Sequence, residues 1–145
     1  MNVRRMYPMI ESAILVVDDD EATRLTLRRW LTHLQVRGQV LEATDGQEAL
    51  ALIATHCQAT TPPLPLLVLL DLQMPVMDGL EFLEQQRQLP RAYQQAMTVI
   101  VLSGAHETAE RERARALVVE VKTKPLDVTE LAALLRQYLP GALPT

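Results

Sequence analysis

Apolar and polar positions along this chain follow two different periods. Short, nearly continuous apolar runs occur at Ala13–Val17, Leu66–Leu70, Thr98–Leu102 and Leu117–Val121, with a weaker one at Gln39–Ala43. Runs of this length, bounded by Gly, Pro or acidic residues, predict strands buried on both faces. Between them the apolar residues return at helical spacing. Leu27, Trp30, Leu31 and Leu34 share one face of a helix from Glu21 to about Leu34, Arg24 and Arg28 lie one turn apart on another face, and Asp20 stands at the N-cap position. Asp45-Gly46 opens a second helix with Ala49, Leu50 and Ile53 on one side. A third begins near Gly79 with Leu80, Phe82 and Leu83, and Pro90 ends or kinks it before a further helical piece around Tyr93–Ala96. Glu107–Ala116 predicts a charged helix carrying i,i+4 pairs such as Glu107 with Arg111. The last helix buries Val128, Leu131, Leu134, Leu135 and Tyr138, and Pro140-Gly141 stops it. Residues 58–65, with Pro62, Pro63 and Pro65, predict an extended surface connection.

Strand and helix therefore alternate five times, which predicts an α/β fold: a doubly wound five-stranded parallel sheet with helices on both faces. In such a sheet all strand C-termini share one edge, and ligands bind there. The polar residues that interrupt the apolar runs fall on that edge: Asp18 and Asp19 after the first strand, Asp71 after the third, Ser103 after the fourth and Lys124 after the fifth. Three carboxylates in one crevice repel one another unless a cation neutralises them, and Mg2+, a hard ion that takes carboxylate and water oxygens, is the natural one. Lys124 adds a point charge suited to a phosphoryl oxygen and Ser103 a hydroxyl donor. The set suits phosphoryl transfer to a carboxylate, with Asp71 as nucleophile. Asp78-Gly79 reads as turn chemistry instead.

Composition narrows the partners. A chain of 145 residues is one domain by the usual measure, and 48% hydrophobic with 22% charged residues is ordinary for a globular protein. No apolar run approaches the roughly 20 residues that span a bilayer, so no membrane partner is expected. A net charge of −4 without a basic arm argues against nucleic acid. The single cysteine, Cys57, and the lack of a secretory pattern in Met1–Ser12 fit a cytoplasmic location. Cys57 beside His56, with no second pair, is a poor zinc signature.

The stretches ILVVDDDEATR, VLLDLQMPVMDGLEFL, VIVLSG and KTKPLDVTELAALL together resemble the receiver domain of two-component response regulators, over roughly residues 13–139. The resemblance implies a (βα)5 flavodoxin-like sheet of order 2-1-3-4-5, with residues 1–12 and 140–145 as tails. It implies a stand-alone regulator similar to the chemotaxis response regulator. This would be a phosphoacceptor assisting its own phosphorylation and dephosphorylation rather than an enzyme, taking a phosphoryl group on Asp71 from a sensor histidine kinase or histidine phosphotransfer protein. Asp18, Asp19 and Asp71 would hold Mg2+ together with the backbone carbonyl of Gln73, Ser103 and Lys124 would bind the phosphoryl group, and Lys124-Pro125 would be cis. The acidic triplet leaves Asp19-Asp20 as a second possible metal pair; the hydrophobic-hydrophobic-Asp-Asp pattern favours Asp18-Asp19. Output would pass to an unidentified downstream protein, or to a homodimer, through the face running from the fourth strand to the last helix. Two departures stand out. Val121 occupies the position where relatives carry a switching aromatic ring, and Ala105 has no polar group to orient water. A docking receiver that has lost phosphorylation, and a Mg2+-dependent aspartyl-phosphate phosphatase, are the alternatives. The second of these lacks a capping insertion and has Gln73 where a second acid is needed.

Overall fold

The computed structural model describes residues 12–144. The elements, in order, are β1 (Ala13–Val17), α1 (Glu21–His33), β2 (Gln39–Ala43), α2 (Gly46–Gln58), β3 (Leu66–Asp71), α3 (Gly79–Gln86), α4 (Arg91–Ala96), β4 (Met97–Ser103), α5 (Thr108–Arg115), β5 (Glu120–Thr123) and α6 (Val128–Tyr138). All strand pairs are parallel, and the sheet order is β2-β1-β3-β4-β5. This is the doubly wound flavodoxin-like sheet that the apolar runs and the resemblance imply.

The central strands carry apolar residues at consecutive positions because both faces are covered. Leu15, Val17, Val68, Leu70 and Val101 pack with Ile53 of α2, Phe82 of α3 and Ala114 of α5 on one side. Their neighbours Ile14, Val16, Leu67, Leu69 and Ile100 pack with Leu27 and Leu31 of α1 and Leu131, Leu134 and Leu135 of α6 on the other. Each fully buried Leu or Ile side chain contributes roughly 1.5–3 kcal/mol by leaving water. Four helices begin at an aspartate whose carboxylate accepts a backbone N–H: Asp20, Asp45, Asp78 and Asp127, the last two in capping boxes with Glu81 and Glu130.

Three local readings change. The apolar stretch Leu117–Val119 is a connection, and β5 is the more polar Glu120–Thr123. The reason lies in the sheet order: β5 is an edge strand, so one side need not be apolar, and Glu120 is satisfied there by Lys122 at 3.0 Å and by the Tyr138 hydroxyl at 2.7 Å. Pro90 starts α4 rather than ending α3, which stops at Gln86. Glu107 and Arg111 form no ion pair; Arg111 Nη1 instead donates to Thr123 Oγ1 at 2.8 Å, tying α5 to β5. After α6 the chain turns back: Ala142 is buried and its carbonyl accepts the Arg37 N–H at 2.7 Å. Of the N-terminal tail only Ser12 lies within the described residues. No helix among them is long and apolar enough to cross a membrane.

Candidate functional site at the carboxyl edge of the sheet

Because all five strands run the same way, the chain leaves β1, β3, β4 and β5 at one edge, and their terminal side chains converge there. Asp18 is buried, its Oδ1 accepting the Asp20 N–H at 2.9 Å and its Oδ2 facing Lys124 Nζ at 2.9 Å. Asp71 is buried as the last residue of β3, with Oδ1 3.1 Å from Lys124 Nζ. Asp18, Asp19 and Asp71 each offer one carboxylate oxygen, all within 4.8 Å of one another. Asp19 is exposed, while Asp20 turns away to cap α1 through Thr23. The pair beside Asp71 is therefore Asp18-Asp19, and the triplet's third acid has a structural job.

Ser103 is fully buried at the end of β4, and its Oγ has no partner among the described residues. Its carbonyl accepts the Lys124 N–H at 2.8 Å, which locks the ends of β4 and β5 together. The Lys124–Pro125 peptide is cis, as is Thr61–Pro62. Gln73 is exposed just past Asp71, and Val121 is half-buried against the α2–α3 side of the core. A groove of about 420 Å³ opens beside Lys124 between α1 and the start of α6, lined by Thr23, Thr26, Trp30, Leu102 and Leu126.

The electrostatics follow from this packing. Burial and then the neighbouring Asp18 charge push Asp71 from 3.8 to about 6, against the pull of Lys124 and the Gln73 N–H. Burial works against the Lys124 ammonium, but its contacts with Asp18 and Asp71 outweigh burial and leave its pKa raised. Lys124 pairs with two of the cluster's three carboxylates, Asp18 and Asp71, so the crevice keeps an excess of negative charge. A hard oxygen donor set with uncompensated charge fits a divalent cation such as Mg2+, and Asp18, Asp19 and Asp71 are the residues that would hold it.

Two features of this edge have no clear signal in the sequence. Gly79 opens α3 because a Cβ there would lie 2.5 Å from the Asp71 carbonyl oxygen and 2.8 Å from Leu72 Cα. Val76 adopts φ 65 in the loop after β3, where the Met77 N–H reaches the Pro75 carbonyl at 2.7 Å. A β-branched residue in that region is strained, and its side chain is 74% exposed, so it gains little in exchange. Val76→Gly is expected to stabilise the protein by about 1 kcal/mol. Thermal unfolding measures this, and a lower Tm in the variant contradicts it.

The pattern of the response regulator receiver domain matches residues 14–136. An uncharacterised 14.6 kDa protein of Leptolyngbya boryana is 34% identical over 92% of this chain and 94% of its own length. The response regulator MprA of Mycolicibacterium vanbaalenii is 37% identical over 90% of this chain, which spans about half (52%) of that relative. Among solved structures, the signal receiver domain of an HD domain-containing protein from Pseudomonas fluorescens is 26% identical. It superposes with a TM-score of 0.74 over 90% of this chain and 88% of that one.

Proposed function

The chain belongs to the response regulator receiver domain family, and from that premise we propose that it is a phosphorylation-dependent switch whose acceptor is Asp71, working in the cytoplasm as a stand-alone module. The observation that carries this reading is the placement of a buried carboxylate, Asp71, against Lys124 and within one cluster with Asp18 and Asp19. The donor is a phosphohistidine on a sensor kinase or histidine phosphotransfer protein. An Asp71 carboxylate oxygen forms the new O–P bond as the P–N bond breaks, and the electron pair stays on the imidazole nitrogen, which takes up a proton.

Asp18, Asp19 and Asp71, with the Gln73 carbonyl, would hold a Mg2+ ion, which would supply charge neutralisation for the acidic crevice and the incoming phosphoryl oxygens. Lys124 is already aimed at Asp71 and pairs with a phosphoryl oxygen once that carboxylate carries it. The free hydroxyl of Ser103 gains in that oxygen the hydrogen-bond partner it lacks, and a buried unsatisfied group costs roughly 1–3 kcal/mol. That gain draws β4 and the following loop toward the site and shifts the population of the face from β4 to α6. Through that face the protein would signal to a partner or a second copy. Val121 has no ring to move, so the link from β5 to α5 runs through polar contacts such as Arg111 with Thr123. The module makes no product of its own beyond its phosphorylated form, and in that sense is not an enzyme.

The test is intact-mass spectrometry after incubation with acetyl phosphate, with Mg2+ or with chelator, on wild type and Asp71→Asn. One Mg2+-dependent phosphoryl adduct that the variant lacks is the expected result. No adduct on wild type, from acetyl phosphate or from any panel of phosphorylated kinases, rejects the reading.

A further inference from the structure

Every polar atom of Asp18 is occupied. Its N–H donates to the Ala43 carbonyl at 3.0 Å, its carboxylate is shared between the Asp20 N–H and Lys124, and its backbone carbonyl accepts Arg24 Nη1 at 2.7 Å. Arg24 comes from α1 and is largely buried, its side chain 15% exposed. Its Nε lies 3.4 Å from Glu42 Oε1, and the other Glu42 oxygen accepts Arg28 Nη1 at 2.6 Å. Glu42 stands on β2 opposite Val16 of β1. One guanidinium thus ties α1 and β2 to the last carbonyl before the exposed acid, Asp19.

We propose that Arg24, oriented by Glu42, is a positioning residue that sets the divalent-cation affinity of the acidic cluster. This inference rests on the metal-assisted reading above. The Asp18 carbonyl belongs to the peptide plane that joins Asp18 to Asp19, so holding that oxygen fixes the direction in which Asp19 leaves the strand. Three carboxylates presented within 4.8 Å repel one another, and a backbone left free at that point relaxes by turning Asp19 outward. A cation near the cluster would also meet the guanidinium charge, and the Glu42 carboxylate offsets it. Glu42 therefore contributes both geometry and charge balance. The conserved geometry of a ligand set commonly depends on such outer contacts, and losing one costs roughly 10–100-fold in metal affinity.

The measurement is calorimetric titration with Mg2+ without phosphodonor, paired with phosphorylation rates by acetyl phosphate across Mg2+ concentration. Wild type, Arg24→Met, Arg24→Lys and Glu42→Gln are compared, with circular dichroism to check folding. Arg24→Met is expected to weaken Mg2+ binding about tenfold. It should raise the half-saturating Mg2+ concentration for phosphorylation by the same factor and leave the plateau rate near that of wild type. Arg24→Lys restores part of the affinity, because its amine can still reach the carbonyl. If Arg24→Met fails to fold, Glu42→Gln decides, with an expected loss of about tenfold. Mg2+ affinity equal to wild type in the folded variants overturns the inference while leaving the metal-assisted reading intact. Wild type that binds no Mg2+ overturns both.

Discussion

Asp71→Asn is expected to be more stable than wild type near pH 7.5 in chelator, by about 2–3 kcal/mol, with the difference vanishing below about pH 4. In the folded protein burial and the Asp18 charge hold the Asp71 carboxyl at about 6, against 3.8 for an unperturbed aspartate. A carboxyl whose folded pKa is raised binds its proton more tightly in the native state. Its stabilising contribution is complete below the unfolded value and is lost as pH rises through about 6, where the carboxylate must ionise beside Asp18 with little water to solvate it. Asparagine keeps the size of the side chain and never ionises, so it escapes this loss. Urea unfolding of both proteins from pH 4 to pH 8 measures the gap. An Asn variant that is less stable at pH 7.5 means that the Lys124 contact outweighs the repulsion. Saturating Mg2+ should stabilise wild type by mass action and narrow the difference, because it binds only the native cluster.

Gly79→Ala is expected to cost about 3 kcal/mol and to slow phosphorylation of Asp71. The backbone conformation at Gly79 does not itself demand glycine; the space does. An added Cβ would meet the Asp71 carbonyl oxygen at 2.5 Å and Leu72 Cα at 2.8 Å, and both are main-chain atoms that cannot rotate aside. Relief requires α3 to lift from the end of β3, which strains the Gly79 N–H bond to the Leu72 carbonyl, now 2.9 Å, and moves the strand end that carries the acceptor. Chemical denaturation gives the stability change, and the rate of adduct formation gives the displacement. An alanine variant with wild-type stability and rate shows that α3 shifts freely, contrary to its burial of Phe82 and Leu83 against the sheet.

Much of the candidate site was legible because its residues mark the ends of strands. Asp18, Asp71 and Ser103 each end a run of apolar residues, and a polar group at such a boundary is visible without knowing what it faces. Lys124 follows the same logic, although the strand before it begins at Glu120, three residues after the start of the apolar run. Leu117–Val119 has the composition of a strand, yet Val119 is 59% exposed and the ladder begins at Glu120. An edge strand meets fewer neighbours and needs fewer apolar residues, so its own composition does not announce it. The expected pairing of Glu107 with Arg111 failed for a related reason: helical spacing allows that contact, but Thr123 on the adjoining strand competes for the guanidinium.

Local pattern determined the order of strands and helices, the Asp20 cap of α1, and the identity of the polar residues at the strand ends. These depend on unbroken apolar runs in strands covered on both faces, on the 3.6-residue period of the helices and on hydrogen bonds within a single turn. Only the tertiary structure decided which of three consecutive aspartates faces Asp71, that Lys124 pairs with Asp18 across 106 residues of chain, and that Arg24 and Glu42 brace the Asp18 carbonyl. It alone raised the Asp71 pKa and made Gly79 necessary. These are consequences of distance and burial between segments remote in sequence, and they come into being when the parallel sheet brings its strand ends to one edge.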